Sequence, residues 1–298
     1  MKPTWIAVDW GTSNARFWAI GADGSVLGER TSDKGMGQLA PSEFETVLRD
    51  LAGNWLSSAS RVVACGMVGS RQGWVEAPYQ TTPCAVCPST MVIAPTTGSG
   101  LTVHIIPGIR QTDPADVMRG EETQIAGFLA QNPGWDGVVC LPGTHTKWVH
   151  ISANEVISFQ TFMTGEIFAL LAGQSVLRHS IAGSGWDGDA FADAMSQTLA
   201  RPESLAARLF SLRAAQLVHK TDTVTLRARL SGLLIGAELA AAKPYWLGQK
   251  VALIGADAVS APYITGLASL GVDAARVDAK DMTLAGIKAA HALLETVV

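Results

Sequence analysis

A turn built around Gly-Thr occurs twice in the sequence, each time between two short apolar runs. The first copy is residues 9–14 (Asp-Trp-Gly-Thr-Ser-Asn) and the second is residues 142–147 (Pro-Gly-Thr-His-Thr-Lys). The flanking apolar runs lie at 6–8 and 16–20 around the first copy and at 138–141 and 148–151 around the second. A strand-turn-strand unit that occurs twice predicts two related domains facing a shared ligand.

These turns are suited to binding an anion. A tight Gly-Thr turn between buried strands leaves several backbone N–H groups without partners, and hydroxyl side chains add donors beside them. Asp9 would repel a phosphate directly, so we expect it to hold a hydrated Mg²⁺ between itself and that phosphate. The predicted phosphate-binding residues are Gly11, Thr12 and Ser13 in the first copy and Gly143, Thr144, Thr146 and Lys147 in the second.

Either copy alone would indicate an ordinary β-hairpin, because Gly-Thr turns are common. Two copies, with a carboxylate in the first and a lysine ending the second, favour a site for nucleotide phosphates. Lys147 has a second interpretation, since a lysine on a strand can also extend along apolar surface to reach solvent.

The two turns resemble the phosphate-1 and phosphate-2 motifs of the superfamily that contains sugar kinases, acetate kinase, heat-shock chaperone ATPases and actin. More narrowly, the chain resembles the 2-dehydro-3-deoxygalactonokinase family from Trp5 to its last helix. The segments that carry this resemblance are residues 66–74 (Gly-Met-Val-Gly-Ser-Arg-Gln-Gly-Trp), 117–124 (Val-Met-Arg-Gly-Glu-Glu-Thr-Gln) and 141–148 (Leu-Pro-Gly-Thr-His-Thr-Lys-Trp). The resemblance implies an α/β protein of two ribonuclease-H-like domains, the actin-like ATPase fold, flanking a nucleotide cleft.

Length and composition agree with two folded domains. The chain has 298 residues, more than a single core usually spans, and 48% of them are hydrophobic while 16% are charged, which indicates a filled interior rather than disorder. We expect an N-terminal domain over 1–113 and a C-terminal domain over 114–298, with 109–117 as the segment that links them.

Charge and hydropathy argue against two classes of partner. A net charge of −4 gives no basic excess for a nucleic acid backbone. The most apolar window, 230–242, is short and is interrupted by Glu238, and no signal-like stretch precedes Asp9, so we expect a cytoplasmic protein that does not enter a membrane. The sequence does not determine the oligomeric state, and a homodimer is one candidate.

The loop after the run 61–65 is predicted to contact the substrate. Ligands of open α/β sheets are held where strands end, and in related sugar kinases the comparable loop contacts the sugar. The loop offers Ser70, Arg71, Gln72 and Trp74, and Arg71 could form two parallel hydrogen bonds with a substrate carboxylate. The alternative is a surface loop whose arginine pairs with a nearby acid.

A catalytic base is expected at the start of a helix predicted over 119–131. In carbohydrate kinases of the superfamily a Gly-Asp step at the start of the corresponding helix supplies the base, and Gly120-Glu121 takes the matching place here. Glutamate has a similar acid strength and a longer side chain. Glu121 is therefore the candidate base, while Glu122 and Asp116 remain alternatives.

The segment 251–257 matches the place of the family's adenosine motif, a strand, a glycine turn and a helix. Gly255 is its only glycine, so the sequence does not identify the residues that contact the nucleotide base. Residues 231–236 resemble the helix on the other wall of an adenine pocket, although a Gly-x-x-x-Gly spacing is equally typical of close helix packing. Cys84 and Cys87 have zinc-like spacing without a second pair of ligands, which disfavours a structural metal.

The resemblance implies an ATP- and Mg²⁺-dependent kinase that phosphorylates the terminal (6-) hydroxyl of 2-dehydro-3-deoxy-D-galactonate in galactonate catabolism. A kinase for another sugar or sugar acid is the nearest alternative, because loops change the substrate without changing the fold. A nucleotide-dependent binding protein without kinase activity is the alternative from another class.

Overall fold

In the computed structural model the chain forms two compact units, and residues 2–57, 60–88, 90–97 and 100–296 are described. The first unit comprises 1–135, 151–158 and 279–298, and the second comprises 136–150 and 159–278. This division differs from the predicted domains, 1–113 and 114–298. The difference arises because the predicted base helix and the last helix of the chain both belong to the first unit.

Strands and helices alternate along the whole chain. The elements within residues 1–135 are β1 Trp5–Trp10, β2 Ala15–Ile20, β3 Val26–Ser32, α1 Phe44–Ala52, β4 Ser60–Gly66, β5 Gln80–Thr81, β6 Cys84–Ala85, β7 Val92–Ile93, β8 Leu101–Ile105, β9 Ile109–Thr112, β10 Ala115–Met118 and α2 Glu121–Gln131. The later elements are β11 Gly137–Leu141, β12 Thr146–Ser152, β13 Glu155–Phe162, α3 Thr164–Gly173, α4 Gly188–Ala200, α5 Leu205–His219, α6 Thr223–Ala241, α7 Lys243–Trp246, β14 Val251–Ile254, α8 Asp257–Ser269, β15 Ala274–Val277 and α9 Ala279–Thr296.

The first unit is built on a mixed sheet in the order β3-β2-β1-β4-β8-β7. Strand β1 pairs antiparallel with β2 and parallel with β4, so both of its edges are hydrogen-bonded to neighbouring strands. Both faces of β1 are buried, because Ile6 and Val8 pack in one hydrophobic cluster and Trp5 and Ala7 in another. A run buried on both faces reads as continuously apolar, which is what the sequence at 5–8 shows.

Helices α2 and α9 approach each other closely in the first unit. A Cβ on Gly127 would lie 2.0 Å from the Met282 backbone oxygen, and a Cβ on Gly286 would lie 1.8 Å from the Thr123 backbone oxygen. Only glycine permits this spacing, since any side chain would force the two backbones apart. This packing explains why the C-terminal helix belongs with residues 1–135.

The segment 109–117, predicted to link the two domains, consists largely of strands β9 and β10. Strand β9 pairs antiparallel with β10, and β5 pairs parallel with β9. The alternation of buried and exposed residues in β9 is the period-2 pattern of a half-buried strand. The segment therefore forms a small sheet that leads into α2.

The second unit repeats the strand order of the first. Its sheet runs β15-β14-β11-β12-β13, with β11 and β14 parallel and β14 and β15 parallel. Counted along the chain, both sheets share the order third, second, first, fourth strand, and the fourth strand is followed by β8 in the first sheet and by β15 in the second. The repeated order agrees with two domains of one ribonuclease-H-like type.

The glycines of α6 serve helix packing. A Cβ on Gly232 would lie 2.3 Å from the Phe191 backbone oxygen, and one on Gly236 would lie 2.3 Å from the Met195 backbone oxygen, so both face α4. Among the described residues, no helix is both long and apolar enough to span a membrane.

Candidate active site

The first Gly-Thr turn is held by backbone contacts to the segment after β3. The Met36 N–H donates to the Gly11 carbonyl and the Gly37 N–H to the Thr12 carbonyl, each at 2.9 Å. Within the turn, the Gly11 N–H donates to the Asn14 carbonyl at 2.9 Å. A Cβ on Gly35 would lie 2.3 Å from the Thr12 carbonyl oxygen, so only glycine fits there. Thr12 and Ser13 remain exposed. Their hydroxyls are therefore open to a ligand.

Asp9 lies near the end of β1, where β2 and β4 flank it. It is in register with Arg16 on one side and with Cys65 on the other. Burial raises the pKa of Asp9, while the Arg16 guanidinium and a contact from the Cys65 Sγ at 3.9 Å lower it. The carboxylate borders a hollow of about 330 Å³ that Asn14, Arg16 and Asp33 also line.

The start of α2 lies beside the end of β4. Gly120 has φ +106° and Gly66 has φ +89°, both in the region that favours glycine, and a Cβ on Gly120 would lie 3.6 Å from the Gly66 Cα. Glu121 follows as the first residue of α2, is partly exposed, and its Oε2 accepts the Arg119 backbone N–H at 3.0 Å. The predicted helix start near 119 is thus confirmed, and the candidate base stands close to the strand end.

Glu122 differs from Glu121 in being fully enclosed. Its side chain is 1% exposed and accepts the Gly120 N–H at 2.7 Å and the Thr123 hydroxyl at 3.0 Å. Burial raises the pKa of Glu122 to about 7, with the neighbouring Glu121 charge adding to the rise. The third candidate, Asp116, lies on β10 and its Oδ1 accepts the Val117 N–H at 2.7 Å.

The predicted substrate loop divides into exposed and buried residues. Arg71 and Gln72 are exposed, while Ser70 is buried and its Oγ has no hydrogen-bond partner in the described part of the chain. Trp74 is 6% exposed and packs against Trp10 and Phe44, with ring centroids 6.5 and 6.0 Å away. The structure thus places Trp74 in the core, because its indole completes an aromatic cluster, which leaves little of its surface for a ligand.

The second Gly-Thr turn packs against the start of α3. The Glu166 N–H donates to the Thr144 carbonyl at 2.9 Å, and a Cβ on Gly165 would lie 2.2 Å from the Gly143 carbonyl oxygen. His145 contacts Glu166 through Nε2 and Oε2, 2.5 Å apart. Because a helix N-terminus favours negative charge, this contact places α3 where it would stabilise an anion bound at the turn.

A pocket of about 420 Å³ opens beside this second turn. The turn, the start of α3, the segment before α4, helix α6 and helix α8 all contribute to its walls. Its lining includes Pro142, Gly143, Thr144, Thr164, Gly165, Phe168, Gly185, Trp186, Arg227, Ser231, Leu234, Ile235, Ala258, Val259, Pro262 and Tyr263. Ser231 and Ile235 belong to the segment that the sequence assigned either to a pocket wall or to helix packing. The segment does both: Ser231 and Ile235 line the pocket, while Gly232 and Gly236 pack against α4.

Thr146 and Lys147 lie on β12, not in the open turn. Thr146 is fully buried and its Oγ1 lies 3.0 Å from the Tyr263 hydroxyl, while Lys147 is 5% exposed. Successive side chains of a strand point to opposite faces, so Lys147 points away from Tyr263. The phosphate contacts predicted for these two residues therefore have less support than those of Gly143 and Thr144.

Gly255 closes the turn between β14 and α8. A Cβ there would lie 2.5 Å from the Ser260 Oγ, so glycine allows the helix to pack tightly on the strand end. Ala258 and Val259, in the first turn of α8, line the pocket. The predicted strand-turn-helix is confirmed, and its contact with a nucleotide stays a prediction.

Comparison with known proteins gives a family for this arrangement. The family described as 2-keto-3-deoxy-galactonokinase matches residues 9–290. The chain belongs to this kinase family. It is 41% identical over 293 residues to a probable 2-dehydro-3-deoxygalactonokinase, DgoK1, of Rhizobium meliloti (strain 1021), covering 96% of each chain. It is 35% identical over 302 residues to 2-dehydro-3-deoxygalactonokinase of Escherichia coli (strain K12), covering 98% of this chain and 99% of the other.

Solved structures agree with the family and with the fold. A putative 2-dehydro-3-deoxygalactonokinase of Sinorhizobium meliloti superposes with a TM-score of 0.91 at 40% identity, covering 97% of this chain and 99% of the other. The activator of 2-hydroxyisocaproyl-CoA dehydratase from Clostridium difficile, solved with bound ADPNP, has a TM-score of 0.54 at 12% identity, covering 100% of this chain and 97% of that one. The second likeness shows only that this dehydratase activator has a similar fold.

In this 2-keto-3-deoxy-galactonokinase family member, Asp9 is the carboxylate that fits a magnesium ion bound with a nucleotide. Among the described residues, no group of three or more His, Cys, Asp or Glu side chains forms a metal cage. Mg²⁺ in nucleotide sites needs only one or two carboxylates, since phosphates and water complete its shell. Asp9, at the hollow that Asn14 and Asp33 also line, offers that oxygen chemistry.

Three further residues of or near the candidate site were not predicted as site residues from the kinase's sequence. Arg119 stacks on Tyr79 at 4.3 Å, donates from Nη2 to the Ala77 carbonyl at 2.7 Å, and leaves Nε and Nη1 buried without a described partner. Trp186 lines the 420 Å³ pocket and is 53% exposed. Glu238 is 3% exposed and accepts a hydrogen bond from the Tyr263 hydroxyl, and Tyr263 lines that pocket. Only Glu238 gave a signal, because an acidic residue inside an apolar helical run indicates a buried partner.

Proposed function

We propose that this chain transfers the γ-phosphoryl group of ATP to the terminal (6-) hydroxyl of 2-dehydro-3-deoxy-D-galactonate. The observation that carries the proposal is the convergence of three chemical groups at Gly66. Asp9 flanks it, the start of α2 packs on it, and the loop with Ser70 and Arg71 follows it along the chain. A carboxylate for metal, a carboxylate for a proton and a polar loop for a polyhydroxy acid are what this transfer requires.

Glu121 is our candidate for the proton acceptor. It is the more exposed of the two glutamates at the start of α2, so a hydroxyl can approach it, whereas Glu122 is enclosed and already accepts two hydrogen bonds. Glu122, which accepts the Gly120 N–H, would then stabilise the turn at Gly120 and so position Glu121. A positioned base of this kind contributes about 10²- to 10⁴-fold.

We assign recognition of the acid to the loop after β4. The exposed Arg71 can reach a carboxylate with two parallel hydrogen bonds, a geometry that lysine lacks. Gln72 is exposed beside it, and the buried Ser70 hydroxyl, without a described partner, adds a donor. Arginine and hydroxyl donors together favour a polyhydroxy acid over an uncharged sugar.

We assign the nucleotide to the 420 Å³ pocket of the second unit. The Gly143-Thr144 turn and the N-terminus of α3 supply donors for phosphates, and the apolar walls that include Leu234 and Ile235 suit a base. Magnesium, when held by Asp9, would neutralise charge on the transferred phosphoryl group. A homodimer and a cytoplasmic location stay predictions.

A panel of acceptors tests the proposal. Initial rates with MgATP are measured for 2-keto-3-deoxy sugar acids of both C4 configurations, for aldonates without the keto group, and for hexoses. We expect kcat/KM to be highest for 2-dehydro-3-deoxy-D-galactonate and lowest for the uncharged hexoses. A hexose or plain aldonate that reacts faster would contradict the proposal and favour the alternative, a kinase for another sugar or sugar acid.

A further inference from the structure

Glu238 is a buried carboxylate for which the proposed phosphoryl transfer has no use. It lies on α6 with 3% of its surface exposed. Its Oε1 accepts the Trp148 Nε1–H at 2.8 Å, and its Oε2 accepts the Tyr263 hydroxyl at 2.7 Å. Thr164 also hydrogen-bonds to it. One carboxylate therefore joins α6 to β12, to α8 and to the start of α3.

The ionised carboxylate fixes the direction of a chain of hydrogen bonds. A carboxylate only accepts, so Tyr263 must donate its single hydrogen to Glu238. The Tyr263 oxygen, 3.0 Å from the Thr146 Oγ1, then accepts the Thr146 hydrogen. Thr146, directly after the second Gly-Thr turn, is thereby tied to α8 and has no hydrogen left for a phosphate.

Helices α3, α6 and α8, which Glu238 joins, line the 420 Å³ pocket, and β12 begins directly after the Gly143-Thr144 turn that also lines it. Thr164 and Tyr263 line it directly, and α6 contributes Ser231, Leu234 and Ile235. We propose that Glu238 is a positioning residue for the nucleotide, which sets the spacing of the pocket walls and the Gly143-Thr144 turn through Tyr263, Trp148 and Thr164. The inference rests on the proposed function, because it takes this pocket as the nucleotide site.

The surroundings of Glu238 make its charge dependent on those hydrogen bonds. The titratable groups that face it are Tyr263 from α8 and the Cys140 thiol from β11, and burial raises the pKa of both, so both stay neutral near pH 7. Trp148, Thr146 and Thr164 complete the contacts and carry no charge. Burial raises the pKa of Glu238 to about 6, although its three hydrogen bonds oppose the rise.

Protonation should therefore loosen the pocket. A neutral carboxyl group is a weaker acceptor than a carboxylate, so as pH falls through about 6 the Tyr263 and Trp148 donors lose part of their stabilisation. Nucleotide affinity should fall with them. Glu238→Gln removes this titration while keeping the size of the side chain.

The test uses the full chain and a non-hydrolysable ATP analogue with Mg²⁺. Its Kd is measured by calorimetry between pH 5 and 8 for the wild type, Glu238→Gln and Tyr263→Phe, with the Kd of the sugar acid measured in parallel. We expect both variants to weaken nucleotide binding about tenfold at pH 8, with the sugar-acid Kd changing less than twofold. The ratio of variant Kd to wild-type Kd for Glu238→Gln should shrink below pH 6.

Thr198→Val is the matched control, since it removes a buried hydroxyl of α4 that donates to the Leu233 carbonyl at 2.7 Å and has no contact with Glu238. It should leave the nucleotide Kd unchanged. If Glu238→Gln fails to fold, Tyr263→Phe carries the test alone. Equal losses for both ligands, or an unchanged nucleotide Kd in both variants, would overturn the inference.

Ile235→Trp separates this inference from the proposed function. A tryptophan there fills the pocket from α6. If the wild type binds the analogue and Ile235→Trp binds it equally well, the nucleotide site lies elsewhere and the proposed function loses its pocket. If Ile235→Trp blocks binding while Glu238→Gln and Tyr263→Phe bind normally, the pocket stands and only the role of Glu238 falls.

Discussion

Gly120 lies against Gly66, with 3.6 Å between the Gly66 Cα and the position a Cβ on Gly120 would take. A Cβ on Gly66 itself would lie 3.5 Å from the Asp9 Oδ1. The missing side chains let the helix that starts at Glu121 approach the strand end that carries Asp9. This contact is the physical basis for assigning the metal and the proton to neighbouring carboxylates of the first unit.

Glu121→Gln should lower kcat by about two to four orders of magnitude, because an amide cannot accept the hydroxyl proton. The nucleotide Kd should change little. Steady-state kinetics and calorimetry measure the two effects, and Glu203→Gln, on an exposed glutamate of the second unit outside the proposed site, is the matched control. A turnover near that of the wild type would remove Glu121 from the chemistry and transfer the role to Glu122 or Asp116.

Asp9→Asn should lower kcat/KM roughly a hundredfold at fixed magnesium, because the charge that holds the ion is lost. The Mg²⁺ concentration for half-maximal rate should rise. Asp33→Asn, at the same hollow but exposed, should have a smaller effect. Identical magnesium titrations for the wild type and Asp9→Asn would contradict the metal role.

Arg71→Ala should raise the KM for the sugar acid about tenfold or more and leave the KM for ATP within about twofold, because a charged hydrogen-bonding pair is lost only with the acid. Arg110→Ala is the control, since Arg110 is also exposed and its Nε donates to the Thr81 hydroxyl. Similar increases in both KM values would indicate a structural role for Arg71 instead.

Glu122 predicts a pH-dependent stability. Its pKa is about 7 in the folded chain against an ordinary value of 4.5. The folded state therefore binds this proton more tightly than the unfolded state, so the free energy of unfolding should fall as pH rises from 4.5 to 7. The decrease is about 3 kcal/mol at most.

Denaturant unfolding at several pH values measures this effect. Glu122→Gln cannot ionise, so its stability should change less between pH 5 and 8 than that of the wild type. Glu203→Gln should keep the wild-type dependence. The same slope in Glu122→Gln as in the wild type would show that another group causes it.

Local patterns predicted several of the structural elements that carry the candidate site. The two strand-turn-strand copies, the start of α2 near Gly120 and the strand-turn-helix at Gly255 all depend on residues that are close in sequence. These features were predictable because apolar periodicity and glycine placement act over a few residues.

Features that depend on distant contacts could not be predicted. The sequence places Trp74 in a loop predicted to contact the substrate, yet its indole packs against Trp10 and Phe44, which are far away in the sequence. Glu238 accepts a hydrogen bond from Trp148, 90 residues earlier. The division into units depends on the contact of α2 with α9. The apolar run around Glu238 indicates that this residue has a buried partner, but no local pattern identifies the partner in any of these pairings.

The most direct test of the kinase assignment is the structure of the product formed from MgATP and 2-dehydro-3-deoxy-D-galactonate. Nuclear magnetic resonance of that product should show phosphorus coupled to the protons of C6, with one ADP released per product. Phosphate on another oxygen, or ADP release without a phosphorylated acid, would contradict the account.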